Sequence, residues 1–469
     1  MRWFLYLLIP LTLGLGQSFD AYFTGQTLRF DYCHSGTATE EHISLDQVRL
    51  EGPWPGSRGH LLDETNLGQY FFEVVDTSTG LVTYSRGFSS IYREWETTAE
   101  ARKGTWRSFH ESQRFPEPRK PVRLILSKRG PDGAFHPIYT SIVNPASRFV
   151  SRAPITALGK VWTLHNNGPP AARVDLLILG DGYRKKDKRK FHKDVKRLVG
   201  ALFETEPFRS REEDFNVRAI DLPAPESGIS NPRAGVWRDS PLGLSFNALD
   251  SDRYVLTYAN RTVREVSAQT PYDALIILFN DRKYGGGGIF NLYATASANS
   301  SSAPYLIVHE FGHSFVGLAD EYYTSPVSYE DFNPPGVEPW EPNITALLDP
   351  SNLKWWHLLD TDTPVPTPWN QAAYDEVAYP WQERRSQLRA DKVPEEVMDE
   401  HFQERERIIQ PMLEAEPYFG KVGAFEGAGY QAKGFYRPEV DCIMFSRHRQ
   451  SFCRVCREAI ERIIDLYAE

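Results

Sequence analysis

The chain is 469 residues long and carries 53 Lys and Arg against 62 Asp and Glu, a formal net charge of -9, with room for two or three domains that each bury a core. Apolar residues at 41%, charged residues at 25%, 33 Gly and 33 Pro exclude wholesale disorder, a collagen-like repeat and a polytopic membrane protein. The acidic balance argues against a protein that works on phosphate backbones, so no nucleic-acid partner is expected.

Residues 1–17 open on Arg2, continue with an apolar stretch of about 13 residues and close on the small residues Gly14 and Gly16, the layout of a secretory signal. Cleavage is expected near Gly16 or Gln17. The stretch is shorter than the roughly 20 residues that cross a bilayer, and no Cys follows it to carry a lipid. The expectation is a secreted or periplasmic protein with no stable membrane anchor.

Residues 18–145 read as an all-β, sandwich-like N-terminal domain. Short alternating segments rich in aromatic and β-branched residues, such as Gln69-Tyr-Phe-Phe-Glu-Val-Val75 and Val122-Arg-Leu-Ile-Leu-Ser127, are separated by Gly, Pro and Asp turns. A single helix is expected there, over residues 97–108. Residues 146–172, with Pro154, Gly159, Pro169 and Pro170, read as a linker. From residue 173 to 469 the text changes. Continuous apolar runs at 174–180, 215–221 and 273–279 suit strands buried on both faces, and a basic stretch at 185–204 has helical spacing, so an α/β domain with a mostly parallel sheet is expected. The charged stretch 382–416, interrupted by Pro394 and Pro411, reads as an inserted helical pair over the domain surface. The sequons at Asn260, Asn299 and Asn343 match a pattern too short to carry weight.

The chemistry-bearing passage runs from Ser302 to Tyr322. Ser302 can cap a helix whose first turn tolerates Pro304. His309 and His313 stand four apart, so both imidazoles leave one helix face and can reach one cation, while Glu310 stands beside them as a general base for a metal-activated water. Independent placement of residues gives His-Glu-x-x-His on the order of 0.02 times in a chain of this composition. Gly317 offers a left-handed exit from the helix, and Asp320 follows as a third ligand, with Glu321 as its rival. Three protein ligands leave one position open, as catalytic zinc requires. Upstream, the four glycines 285–288 lead into an alternating segment that can be a substrate-binding edge strand. No Lys-Ser or Lys-Thr follows them, so the P-loop pattern fails and a phosphate loop is disfavoured.

The four cysteines are Cys33, Cys442, Cys453 and Cys456. Cys453 and Cys456 have C-x-x-C spacing, but with only Cys442 near them they fall one short of a four-ligand zinc site, so a disulfide from Cys442 to Cys453 or Cys456 is expected. Cys33 is unassigned, although it can in principle cap a metal. Met444 stands out because the chain has only 4 Met; a methionine turn beneath the ligand histidines marks the metzincin type of zinc peptidase.

These residues resemble the M64 peptidases, the family named for an immunoglobulin A peptidase. The resemblance lies in His309-Glu-Phe-Gly-His313-Ser-Phe-Val-Gly317-Leu-Ala-Asp320-Glu321-Tyr322, in Gly427-Ala-Gly-Tyr430, in Gly434-Phe-Tyr-Arg-Pro438, in Asp441-Cys-Ile-Met444 and in Phe452-Cys-Arg-Val-Cys456. Tyr84-Ser-Arg-Gly-Phe-Ser-Ser-Ile-Tyr92 is similar to the family's N-terminal β domain. It implies a metzincin-like fold, Zn2+ on His309, His313 and Asp320, and Glu310 as base. Metzincins usually place the glycine and the third ligand where Val316 and Ala319 stand here, so each is shifted by one. Tyr430 is the candidate donor to the developing oxyanion. The function expected is a secreted zinc endopeptidase acting on protein or peptide; a binding protein with a vestigial metal site and a zinc amidase acting on cell-wall peptide are the alternatives.

Overall fold

A computed structural model describes residues 18–325, 327, 332–448 and 451–468. The signal expected at residues 1–17 lies outside the described residues. The first eight strands are β1 (Phe23–Gly36), β2 (Glu41–Pro53), β3 (Tyr70–Asp76), β4 (Val82–Phe88), β5 (Arg107–Pro118), β6 (Val122–Arg129), β7 (Phe135–Val143) and β8 (Val150–Ser151). They form two four-stranded sheets, ordered β5-β1-β2-β8 and β4-β3-β6-β7. Alternate residues point inward, as half-buried strands require: Leu28, Phe30 and Tyr32 of β1 meet Phe72 and Val74 of β3 and Leu124 and Leu126 of β6 in one core. In place of a helix over residues 97–108 there are two brief ones, Ile91–Glu96 and Ala99–Arg102. Gly104, at φ +81, turns the chain before β5 begins.

The second body is built on β9 (Lys160–His165), β10 (Val174–Asp181), β11 (Phe215–Asp221), β12 (Ala274–Phe279), β13 (Gly286–Ile289) and β14 (Tyr293–Ser297), ordered β13-β14-β12-β10-β11-β9. The four inner strands are parallel; β13 and β9 close the two edges antiparallel. β10 shows why the apolar runs are continuous. Leu176 and Ile178 enter the core on one face, and Leu177 and Leu179 enter the core on the other.

The segment 146–172 is not a linker throughout. β8 pairs with β2, and β9 pairs with β11 as the edge of the second sheet. No residue of β9 is fully buried, so it lacks the apolar run that marks β10 in the sequence.

Helices Lys188–Phe203, Ala303–Phe311 and Arg454–Tyr467 cover one face of this sheet through residues such as Val195, Leu198, Leu306, Ile307, Ile460 and Ile464. The other face packs against Leu244, Phe246 and Val263 and, from the sandwich, against Tyr92, Trp95 and Phe109. The two bodies therefore share a core. Arg114 fastens them: its Nη1 donates to Tyr272 O at 2.9 Å, its Nε pairs with Glu51 at 3.1 Å, and its guanidinium lies 3.6 Å from the Tyr272 ring centroid.

The charged helical pair begins earlier than residue 382. Its helices are Gln371–Ala390, capped by Asn370 accepting from Ala373 N, and Glu395–Glu414. Pro394 falls at the break, whereas Pro411 is accommodated inside the second helix. Two further strands, β15 (Phe425–Ala428) and β16 (Gln431–Arg437), form a hairpin beside it.

Candidate metal centre

β14 leads into the helix Ala303–Phe311. Pro304 lies in its first turn, but Ser302 makes no side-chain cap bond, contrary to the sequence reading. The helix widens into a five-residue turn, Gly312–Val316, and stops at Gly317, whose φ of +74 only glycine adopts readily. Gly317 N donates to His313 O at 3.0 Å and Leu318 N to Gly312 O at 3.2 Å, which satisfies the last carbonyls. His309 and His313 are left side by side, ring centroids 4.7 Å apart and perpendicular.

Past Gly317 the chain turns back and brings Asp320 to both imidazoles. Asp320 Oδ1 lies 3.0 Å from His309 Nε2 and 3.3 Å from His313 Nε2, and the two Nε2 atoms are 3.1 Å apart. The opposite ring nitrogens face carbonyl acceptors: His309 Nδ1 meets Ile443 O at 3.1 Å, and His313 Nδ1 meets Leu318 O at 2.6 Å. Those contacts keep the protons on Nδ1 and turn each Nε2 lone pair inward. Asp320 Oδ1 is buried without a hydrogen-bond donor of its own. Two lone pairs and a carboxylate oxygen repel one another unless a proton or a metal cation sits between them, and this nitrogen-and-oxygen set fits a divalent cation such as zinc. The electrostatics point the same way. Burial lowers the His313 pKa, but the Asp320 carboxylate outweighs it and the group is pushed up to about 9. Burial would raise Asp320, yet His313 and His309 hold it well below the usual carboxylate range.

The other oxygen, Asp320 Oδ2, accepts from Tyr430 OH at 2.5 Å. Tyr430 sits at φ +67, a left-handed conformation that is costly for a bulky side chain. Its backbone is held by Tyr430 N donating to Tyr322 O at 3.1 Å, and Tyr322 OH in turn accepts from Arg253 at 2.7 Å. Glu310 stands beside the histidines on the cleft wall. Burial pushes its carboxyl above the ordinary range, with His309 and His313 pulling it part of the way back.

Two other passages meet at this helix. The glycines of β13 lie against it: a Cβ on Gly288 would stand 2.4 Å from Glu310 O and 2.7 Å from His313 Cβ, so no larger residue fits. β13 is the terminal strand of the sheet, but Gly286 exchanges backbone bonds with Arg253 O and Val255 N. Its outer edge is therefore already occupied there, which limits the edge-strand reading to the residues beyond Gly286. On the far side, Met444 is fully buried in the turn that supplies Ile443 O, and its Sδ faces Gly312. Glu321, the rival third ligand, points away from the imidazoles. Its N–H donates to Met444 O at 2.9 Å, and its carboxylate joins Cys442, Cys453 and Cys456.

An open cleft surrounds the trio. Glu94 of the sandwich lines one side, and Trp381, Arg385 and Phe402 of the helical pair line another. The pair is thus a cleft wall rather than a surface insertion, and Arg253, Tyr305 and Tyr322 belong to the site as well. Tyr305 and Tyr322 fall inside the passage from Ser302 to Tyr322, but Glu94, Arg253, Trp381, Arg385 and Phe402 carry no sequence signal, because charged and aromatic residues on a solvated helix or loop look the same. Cys33 lies on β1 and does not line the cleft. Asn343 is wholly buried, its amide bonded to Ala319 and Glu321, so its sequon is not presented to solvent.

A parallel α/β sheet, a His-Glu-x-x-His helix, a returning carboxylate and an open cleft together define the metallopeptidase class. Residues 162–464 match the family described as IgA Peptidase M64, and residues 18–140 match the Peptidase M64 N-terminus. The chain belongs to the M64 peptidases, a metallopeptidase family that acts on protein or peptide. Comparison with curated proteins finds no match. Among the described residues no helix is long and apolar enough to cross a membrane.

Proposed function

We propose that the chain is a secreted, zinc-dependent endopeptidase in which His309, His313 and Asp320 hold the ion and Glu310 is the general base. The observation that carries the reading is the convergence of His309 Nε2, His313 Nε2 and Asp320 Oδ1 at the wall of an open cleft, with a second carboxylate beside them. Three protein ligands leave a position for water or substrate. Zinc, when bound, supplies Lewis acidity to a scissile carbonyl and acidifies a water. Glu310 takes a proton from the attacking water and returns it to the leaving amine, and burial, which raises its carboxyl pKa, strengthens it as a base. Tyr430 orients Asp320 through its 2.5 Å bond; it serves as oxyanion donor only by leaving that carboxylate. Secretion rests on the signal pattern of residues 1–17, and immunoglobulin A as substrate rests on the family's name alone.

Casein hydrolysis with and without a chelator, beside the Glu310→Ala chain, tests the mechanism. Activity is expected in the untreated sample and nowhere else. Equal hydrolysis in all three would sink it.

A further inference from the structure

Around Glu321 the fold gathers a second set of donor atoms that the catalytic centre does not use. Sγ of Cys442, Cys453 and Cys456 and a carboxylate oxygen of Glu321 all lie within 4.8 Å of one another, and all four residues are buried. The three thiols are free, so the disulfide expected from their spacing is absent. Cys442 Sγ and Cys456 Sγ are 4.0 Å apart, about twice the ~2.05 Å of a sulfur–sulfur bond. Thiolates held at ~2.3 Å from a tetrahedral zinc stand about 3.8 Å from one another and about 3.5 Å from a carboxylate oxygen on the same ion. The observed sulfur–sulfur distance of 4.0 Å and the 3.3 Å from Cys456 Sγ to Glu321 Oε1 bracket those values.

The surroundings are those of ligands rather than of spare thiols. Cys453 N donates to Cys442 Sγ at 3.2 Å and Cys456 N to Cys453 Sγ at 3.4 Å, bonds that orient sulfurs as outer-shell donors do around a metal. Asn343 holds Glu321 Oε1 at 2.9 Å, whereas Glu321 Oε2 is buried with no partner at all. A sealed carboxylate with an unsatisfied oxygen costs free energy unless a proton or a cation compensates it.

We propose that Cys442, Cys453, Cys456 and Glu321 hold a second, structural zinc ion beneath the catalytic centre. Four protein ligands close the coordination shell, so no position is left for substrate. Binding releases the thiol protons to solvent and involves no change of oxidation state. The ion ties together three segments that hydrogen bonds already bring side by side. Glu321 follows Asp320 and bonds Met444 O, Cys442 precedes the Met444 turn beneath the histidines, and Cys453 and Cys456 stand at the start of the helix Arg454–Tyr467.

Metal content of the purified full chain, measured by inductively coupled plasma mass spectrometry, tests this. Two zinc ions per chain are expected, one remaining in His309→Ala/His313→Ala and one in Cys453→Ser/Cys456→Ser. Because the cysteine variant can fail to fold, the unmutated chain and the histidine variant are also loaded with Co2+. A thiolate-to-cobalt charge-transfer band is expected in both. The proposal is overturned by a single zinc per chain that disappears with the histidines, by a missing charge-transfer band, or by an intact mass two hydrogens light with a peptide linking Cys442 to Cys453 or Cys456. Failure of the peptidase reading would look different: a chain that retains thiolate-bound metal but leaves casein intact.

Discussion

Asp320 and Glu321 are consecutive residues that serve opposite pockets. Between Gly317 and Tyr323 the chain forms no regular helix or strand, and neighbouring segments hold it from two sides: Asp320 O accepts from Gly429 N at 3.0 Å, and Glu321 N donates to Met444 O at 2.9 Å. Asp320 joins two imidazoles at an open cleft with Glu310 beside them; Glu321 joins three thiols in a sealed interior. The first set gathers three donor groups, the second four. Whether such a cluster does chemistry or holds the fold together is decided by the missing ligand and the neighbouring base, not by the ion.

The largest effect should come from the group that only the open cluster has. Glu310→Gln is expected to lower kcat by about 10²–10⁴-fold with metal content unchanged. Turnover near that of the unmutated chain would break the distinction between the two clusters. Next, Tyr430→Phe removes a hydrogen bond to a charged carboxylate worth ~1.5–3 kcal/mol, a loss of roughly ten- to a hundredfold in kcat/KM if all of it is expressed in the transition state. An unchanged kcat/KM would confine Tyr430 to packing.

At the histidine cluster the pH dependence of metal binding has its own origin. In the metal-free chain the His313 pKa is pushed up to about 9, so below that pH a proton occupies the place a cation takes. Zinc binding near neutrality should release that proton, and affinity at the histidine cluster should fall by up to about tenfold for each pH unit below 9. Chelator competition between about pH 6 and 8.5 measures it; a flat profile in the Cys453→Ser/Cys456→Ser chain would detach His313 from the metal. The smallest effect is structural. Gly288→Ala forces a Cβ against Glu310 O and His313 Cβ, an overpacking cost of about 1–3 kcal/mol. Calorimetry should show a lowered Tm while the thiolate-to-cobalt band persists.

The histidine pair was legible because helical periodicity turns a spacing of four into a shared face. Asp320 and Glu321 could not be told apart, since the choice depends on how an irregular segment turns between its neighbours, which no residue type sets. The second cluster was hidden for a different reason: Cys442, Cys453 and Cys456 are close in sequence, but their fourth partner lies more than a hundred positions upstream. β10, β11 and β12 announced themselves through burial on both faces, whereas β9 is half-exposed and surrounded by Pro and Gly. The charged helical pair showed its period but not its neighbour, so nothing in it revealed a cleft wall.

One earlier feature bears on how the polypeptide behaves when cut. Tyr92, Trp95 and Phe109 of the sandwich pack in the same core as Leu177 and Leu179 of the second sheet, and Glu94 reaches the cleft. The exposed stretch 152–159 is therefore a seam in the chain and not in the body. Nicking it would leave two fragments that migrate as one particle until denaturant parts them, and the sandwich could not be shed as a removable cover without baring an apolar sheet face to water.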